Sequence, residues 1–580
     1  MEKTLIATER LFLPSLGTDQ HDRGNRVPAS AGVGGMNQPT HDDSLICKQS
    51  FTTCVTLLLG LSIPLVFFPV QSALKLDGLY QWISINCGVF YLSAGVACFV
   101  FLVWLGMSPY GNIKLGDESE AIEFKEVSWA GMLFCAGIGG GLMRWAPVEW
   151  GYYFLSPPHG VASQSLSAAD WAGAYPLFHW GPIAWAIYCL PAIAIAYPYH
   201  VKKVPWLRFS TSLHGILGDK GLQGPFAKIT DILFVLSLLG GAGYSLGIST
   251  PLISGAFCHL TGIANGFHLQ VITALTCVTL FSISAYLGLK KGIRLLSDWN
   301  VYLSLSLLLF ILTVGPTLYI LKASLSSLGF MTQNFVVMST WMDPFTESRF
   351  VESWTVFYWA WWIAYAPFVG LFVARISRGR TIRQVIFGML VYGSAGCMLF
   401  FMIMGNYAMH LDTVENADIL TTLNSKDGGY VLAITKILDS LPLSKLATGA
   451  FCLICVIFCA TTYDSASYIL ASAVTPKQQP GQEPAKWNRV FWAFALAALP
   501  IALLWIDAHQ KTRNAETAMQ SILLLTSLPI LFIGALSAWS LTTQLRKDSL
   551  ARLSQHCDDD SDKPKYQSPD KCNSHNTHDE

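Results

Sequence analysis

The chain has 580 residues, of which 52% are hydrophobic and 13% charged, with 37 Lys+Arg against 37 Asp+Glu. Soluble domains carry about a quarter charged residues, so soluble domains of this length would lack the polar atoms to cover their surfaces. The even charge balance also removes the basic field that a nucleic-acid binder uses, and the composition is that of an all-α polytopic membrane protein.

Residues 1–49 are polar and rich in Gly, Ser and Asp, which predicts a disordered cytoplasmic tail with no signal peptide. Beyond them, runs of about 20 mostly apolar residues, enough to cross a hydrocarbon core, recur near 51–70, 86–108, 128–154, 175–198, 229–257, 269–288, 301–321, 354–373, 385–404, 446–472, 490–506 and 518–541. The pattern predicts about twelve crossings.

Lys and Arg close to a crossing stay cytoplasmic. With the N-terminus inside, the inner loops carry Lys202, Lys203, Arg208, Lys220 and Lys228; Lys290, Lys291 and Arg294; Arg375, Arg378, Arg380 and Arg383; and Lys477, Lys486 and Arg489. The loops after the third and fifth crossings have neither residue. Both termini are therefore expected in the cytoplasm, with the chain in the inner membrane. The loop 109–127 is the exception, because acids there outnumber Lys114 and Lys125.

Residues 340–353 predict a short amphipathic helix at the outer surface, and residues 546–580, with DDDSD before Lys563 and Lys565, a disordered cytoplasmic tail. The 14 cysteines are scattered, most of them in apolar runs, unlike a disulfide framework. Cys452 and Cys455 form a C-x-x-C, but in an apolar segment without the further ligands that zinc needs.

The third crossing contains AGIGGGLMRWAPVEW, with Gly137, Gly139, Gly140 and Gly141 at membrane depth. Each glycine costs a helix about 1 kcal/mol relative to alanine, which predicts a broken segment or a closely packed one. The fourth crossing brings Trp180, Trp185 and Tyr188, with Pro182 placed to kink it.

The eighth reads WTVFYWAWWIAYAPFVGLFVARISRGR. Trp354 and Tyr358 suit an interfacial belt, whereas Trp361 and Trp362 lie about 11 Å inside the run at 1.5 Å per residue. Helical spacing puts Trp359 with Trp362 on one face and Trp361 with Tyr365 on another. An aromatic box without carboxylates suits a quaternary ammonium, held by ring faces rather than N–H bonds; ordinary ring packing is the alternative. The tenth crossing contains FCATTYDSAS, whose Thr461, Thr462 and Asp464 either face an ion path or, for the hydroxyls, bond back to their own helix.

WTVFYWAWW with ARISRGRTIR, FHWGPIAWAIY and TTYDS together resemble the betaine/carnitine/choline transporter family over residues 45–545. The resemblance implies a sodium-symporter fold, with two extra helices preceding a 5+5 inverted repeat around a midplane site, and often a homotrimer. It implies a central box of Trp180, Trp185, Tyr188 and Trp362, and a pathway lined by Trp359, Trp361, Tyr365 and Phe368. Sodium, the coupling ion, would be held by Thr461 and Thr462 with backbone oxygens of Cys135, Ile138 and Phe458; no other cofactor is implied.

The chain has G-I-G-G-G where sodium-coupled members resemble G-M-G-I-G, and Arg144 where an aromatic is usual. An arginine there meets the substrate's carboxylate, pairs with Glu149, snorkels, or substitutes for the cation. Val369 and Asn300 stand where sodium-independent exchangers of the family carry methionine and arginine, so sodium dependence is expected over exchange. The expected function is import of a quaternary ammonium solute such as glycine betaine, choline or carnitine, by alternating access. The rival classes are a membrane sensor, for which no output domain is visible, and an enzyme, for which no embedded nucleophile and base are found.

Overall fold

In hydrocarbon every backbone N–H and C=O must be satisfied within the chain, so apolar runs become helices. The computed structural model describes residues 46–561 apart from 139, 288, 347, 426–428, 476–483 and 510–513. Among these, nine helices are long and apolar enough to cross a membrane: Lys48–Phe67, Pro69–Met107, Leu166–Val201, Pro225–Thr261, Val351–Ile376, Ile382–Thr413, Ser444–Ala473, Lys486–Ile506 and Glu516–Ala551. A tenth is the pair Asp298–Val314 and Thr317–Thr340, bent by 113° at Gly315 and Pro316.

Two runs of the expected twelve remain. The sixth is the helix Phe267–Leu287. The third is interrupted: Glu126–Ile138, then Gly141–Trp145, then Glu149–Leu155. Gly139 lies outside the described residues, and Gly140 and residues 146–148 are turns between these helices, in keeping with the cost of clustered glycines.

The described residues of 341–349 turn rather than form an amphipathic helix, because Asp343 takes the amides of Thr346 (3.2 Å) and Ser348 (2.7 Å) on its carboxylate. The last helix, Asn514–Ser561, continues past 545 and includes Asp558–Asp560, so the expected irregular tail is helical that far. Residues 1–45 and 562–580 lie outside the described residues.

The exceptional loop 109–127 lies against two of the basic loops. Leu115 accepts the Gly379 amide and donates its own to Arg380 (both 2.8 Å). Lys203 pairs with Asp117 (3.0 Å), Arg380 with Glu126 (2.6 Å), and Arg378 with Glu120. These three connections therefore share one side of the molecule, and the acids of 109–127 meet the basic residues of the other two.

Candidate functional site

The site forms where Val351–Ile376 packs against Leu166–Val201 and the interrupted third segment. FHWGP explains the local break: the helix Leu166–His179 ends, Trp180 and Gly181 leave the helical path, and Pro182 restarts it at a first-turn position where its missing N–H costs nothing. The break frees the His179 carbonyl, which accepts the Trp362 indole hydrogen at 3.0 Å.

Around that bond the rings gather. Trp180 meets Trp362 edge-on with centroids 4.8 Å apart, and lies 5.7 Å from Tyr358 and 6.0 Å from Trp361. Trp361 and Trp362 stack at 4.9 Å and 17°, Tyr188 closes on Trp362 at 5.8 Å, and Trp185 lies behind Tyr188 at 5.7 Å. Gly141 makes this approach feasible, since a Cβ there would stand 2.6 Å from Trp361 and 3.6 Å from Trp180. The restart of the broken helix thus forms a wall of the cluster.

Trp359 points elsewhere, although i,i+3 spacing pairs it with Trp362. Its ring meets Phe178 (5.5 Å) and His179 (5.8 Å), and its indole nitrogen lies 2.9 Å from where a Cβ of Gly95 would stand. Trp361, expected on the other face, takes its place beside Trp362. Tyr365 and Phe368 pair at 5.6 Å further along, with Tyr365 against Gly241. Tyr358, read from the sequence as a belt residue, is fully buried in the cluster.

The box is also not free of carboxylates. Glu149 is fully buried; its Oε2 accepts from the Tyr358 hydroxyl (2.6 Å) and the Trp180 indole (3.0 Å), and its Oε1 from the Tyr153 hydroxyl (2.7 Å). Tyr153 Oη also lies 2.9 Å from His179 Nδ1, His179 Nε2 lies 3.0 Å from Thr355 Oγ1, and His179 Nδ1 is 3.9 Å from Glu149 Oε1. An ionisable residue at membrane depth was a readable signal; that Glu149 serves the rings depends on where Trp180 and Tyr358 come to lie.

Arg144 does not pair with Glu149. Its Nη2 meets Glu516 Oε1 at 2.6 Å, and its guanidinium lies over the rings of Trp145 (4.3 Å) and Tyr430 (4.0 Å).

The hydroxyl pair lies on Ser444–Ala473. The end of Glu126–Ile138 arrives beside it: Phe134 and Phe458 are 6.0 Å apart, and a Cβ at Gly140 would stand 3.3 Å from Cys459 Sγ. Cys135 on that helix is buried. Thr461 Oγ1 donates to its own helix at Ile457 (3.0 Å) and Phe458 (3.1 Å), which leaves its lone pairs available. Thr462 Oγ1 is buried without a partner among the described residues. Asn300 and Val369 are both fully buried.

A family model described as the betaine/carnitine/choline family transporter matches residues 50–550. The chain is 34% identical to a carnitine transporter of Acinetobacter baumannii over 505 residues, 87% of this chain and 90% of the relative. It is 36% identical to the glycine betaine transporter OpuD of Bacillus subtilis over 471 residues, 80% of this chain and 88% of the relative.

Proposed function

Since the chain belongs to the betaine/carnitine/choline transporter family, we propose that it imports a quaternary ammonium solute across the inner membrane, driven by sodium. The observation that carries this reading is the ring cluster of Trp180, Tyr188, Tyr358, Trp361 and Trp362 set on the buried carboxylate of Glu149. Ring faces attract a cation by about 0.5–2 kcal/mol each, more when desolvated. A trimethylammonium head has no N–H to satisfy the carboxylate, and here Trp180, Tyr153 and Tyr358 supply those bonds instead.

Every ring of the cluster is buried and in contact with another, so solute enters only when the helices part, as alternating access requires. Sodium binds between the end of Glu126–Ile138 and Ser444–Ala473; the unpartnered Thr462 hydroxyl supports that placement. The ion holds the end of the broken helix against Phe458 and so keeps Gly141 under Trp361. The basic loops and both termini face the cytoplasm.

The test is uptake of radiolabelled glycine betaine, carnitine and choline into proteoliposomes, with and without an inward sodium gradient and with or without solute preloaded inside. Sodium-driven accumulation is the expected result. Uptake that requires only internal solute overturns sodium coupling in favour of exchange, and binding without uptake overturns transport.

A further inference from the structure

We propose that Arg144 is the anion half of the solute site and makes the protein select zwitterions, such as glycine betaine or carnitine, over the plain cation choline. The inference rests on the reading of the ring cluster as the ammonium half. A guanidinium offers five N–H donors. Arg144 is 1% exposed, and Glu516 accepts from Nη2 alone; Nε and Nη1 are buried with no acceptor, as is the indole nitrogen of Trp145, whose ring lies under the guanidinium. Buried donors left without acceptors are costly, charged ones most of all, and beyond Glu516 the described residues supply no acceptor for these three.

The position suits that group. Gly141 lies against Trp361 and Trp180, and Arg144 stands three residues on in the same short helix, about one turn away on the same face. Tyr244 contacts Trp361 at 4.8 Å and Phe357 at 5.5 Å, and Trp145 also reaches Phe357 at 6.5 Å, so the arginine's surroundings are continuous with the cluster. Glu149 at the rings and Arg144 beyond them oppose a short dipolar molecule end for end. Glu516, whose side chain is 37% exposed, keeps the arginine paired when no solute carboxylate is present.

The test measures dissociation constants of the purified protein for glycine betaine, L-carnitine and choline by tryptophan fluorescence. Wild type is expected to favour both zwitterions. In Arg144→Gln the preference over choline falls by about tenfold or more, and Arg144→Lys retains part of it. Arg144→Gln/Glu516→Gln leaves no lone charge behind, so it must show the same loss of preference if the single variant folds poorly. Equal weakening for all three solutes, an unchanged preference, or a wild type that favours choline overturns the inference. Failure of wild type to bind any of the three overturns the ring-cluster reading beneath it.

Discussion

Glu149 Oε2 accepts two hydrogens from the ring cluster, one from the Trp180 indole at 3.0 Å and one from the Tyr358 hydroxyl at 2.6 Å. A buried carboxylate held by three neutral donors suits the cationic head of a solute beside it. Glu149→Gln removes the charge and sets an amide against at least one of the three donors. Hydrogen bonds to charged groups contribute about 1.5–3 kcal/mol, so binding of betaine and choline alike is expected to weaken about 10- to 100-fold in a fluorescence titration. Unchanged affinity for both would separate the carboxylate from the solute site. The loss extends to choline, unlike that expected for Arg144.

Trp359 packs between Pro69–Met107 and Val351–Ile376. A Cβ at Gly95 would stand 2.9 Å from its indole nitrogen and 3.1 Å from Ile183 Cγ2. Overpacking of this kind costs about 1–3 kcal/mol, so Gly95→Ala should lower the melting temperature and Trp359→Phe should recover part of that loss in the double variant. Trp359→Phe alone should change solute affinity less than twofold. A tenfold loss would return Trp359 to the pathway.

Thr462→Val keeps the shape of the side chain and removes only a hydroxyl that has no hydrogen-bond partner among the described residues. The melting temperature should hold within about two degrees, as expected when no hydrogen bond is lost. If the hydroxyl ligates sodium, the half-saturating sodium concentration for uptake rises at least about tenfold. Thr461→Val also removes the bonds to Ile457 and Phe458, so it should affect stability as well. Identical sodium curves for wild type and Thr462→Val would move the ion elsewhere.

Asp343 organises the 341–349 turn outside the spanning helices. Burial alone would raise its pKa, but hydrogen bonds from Ser348 and Thr346 outweigh that and hold it below the ordinary 3.8. A carboxyl depressed in the folded state contributes stability above its unfolded pKa and loses it as pH falls through the folded value. Asp343→Asn should therefore melt earlier than wild type at neutral pH, and the gap should close as the pH falls below about 4. A gap constant between pH 7 and pH 3 would contradict this account.

Hydropathy runs and four clustered glycines were enough to locate the membrane helices and the break after Ile138, because helix length and glycine cost are properties of local sequence. FHWGP likewise marks the break that exposes the His179 carbonyl. The same local rules did not place the bend at Gly315 and Pro316, and they placed a surface helix where the Asp343 carboxylate captures the turn instead.

Which buried groups meet was decided by tertiary structure alone. Spacing could place Trp359 and Trp362 on one face, but Gly95 on a distant helix draws Trp359 away and Trp180 receives Trp361 and Trp362 together. Arg144 and Glu149 are five residues apart, yet the arginine finds Glu516, 372 residues on, and the glutamate finds the rings. Local periodicity says which direction a side chain leaves its helix; the pairing of a buried charge depends on what another helix brings to that point.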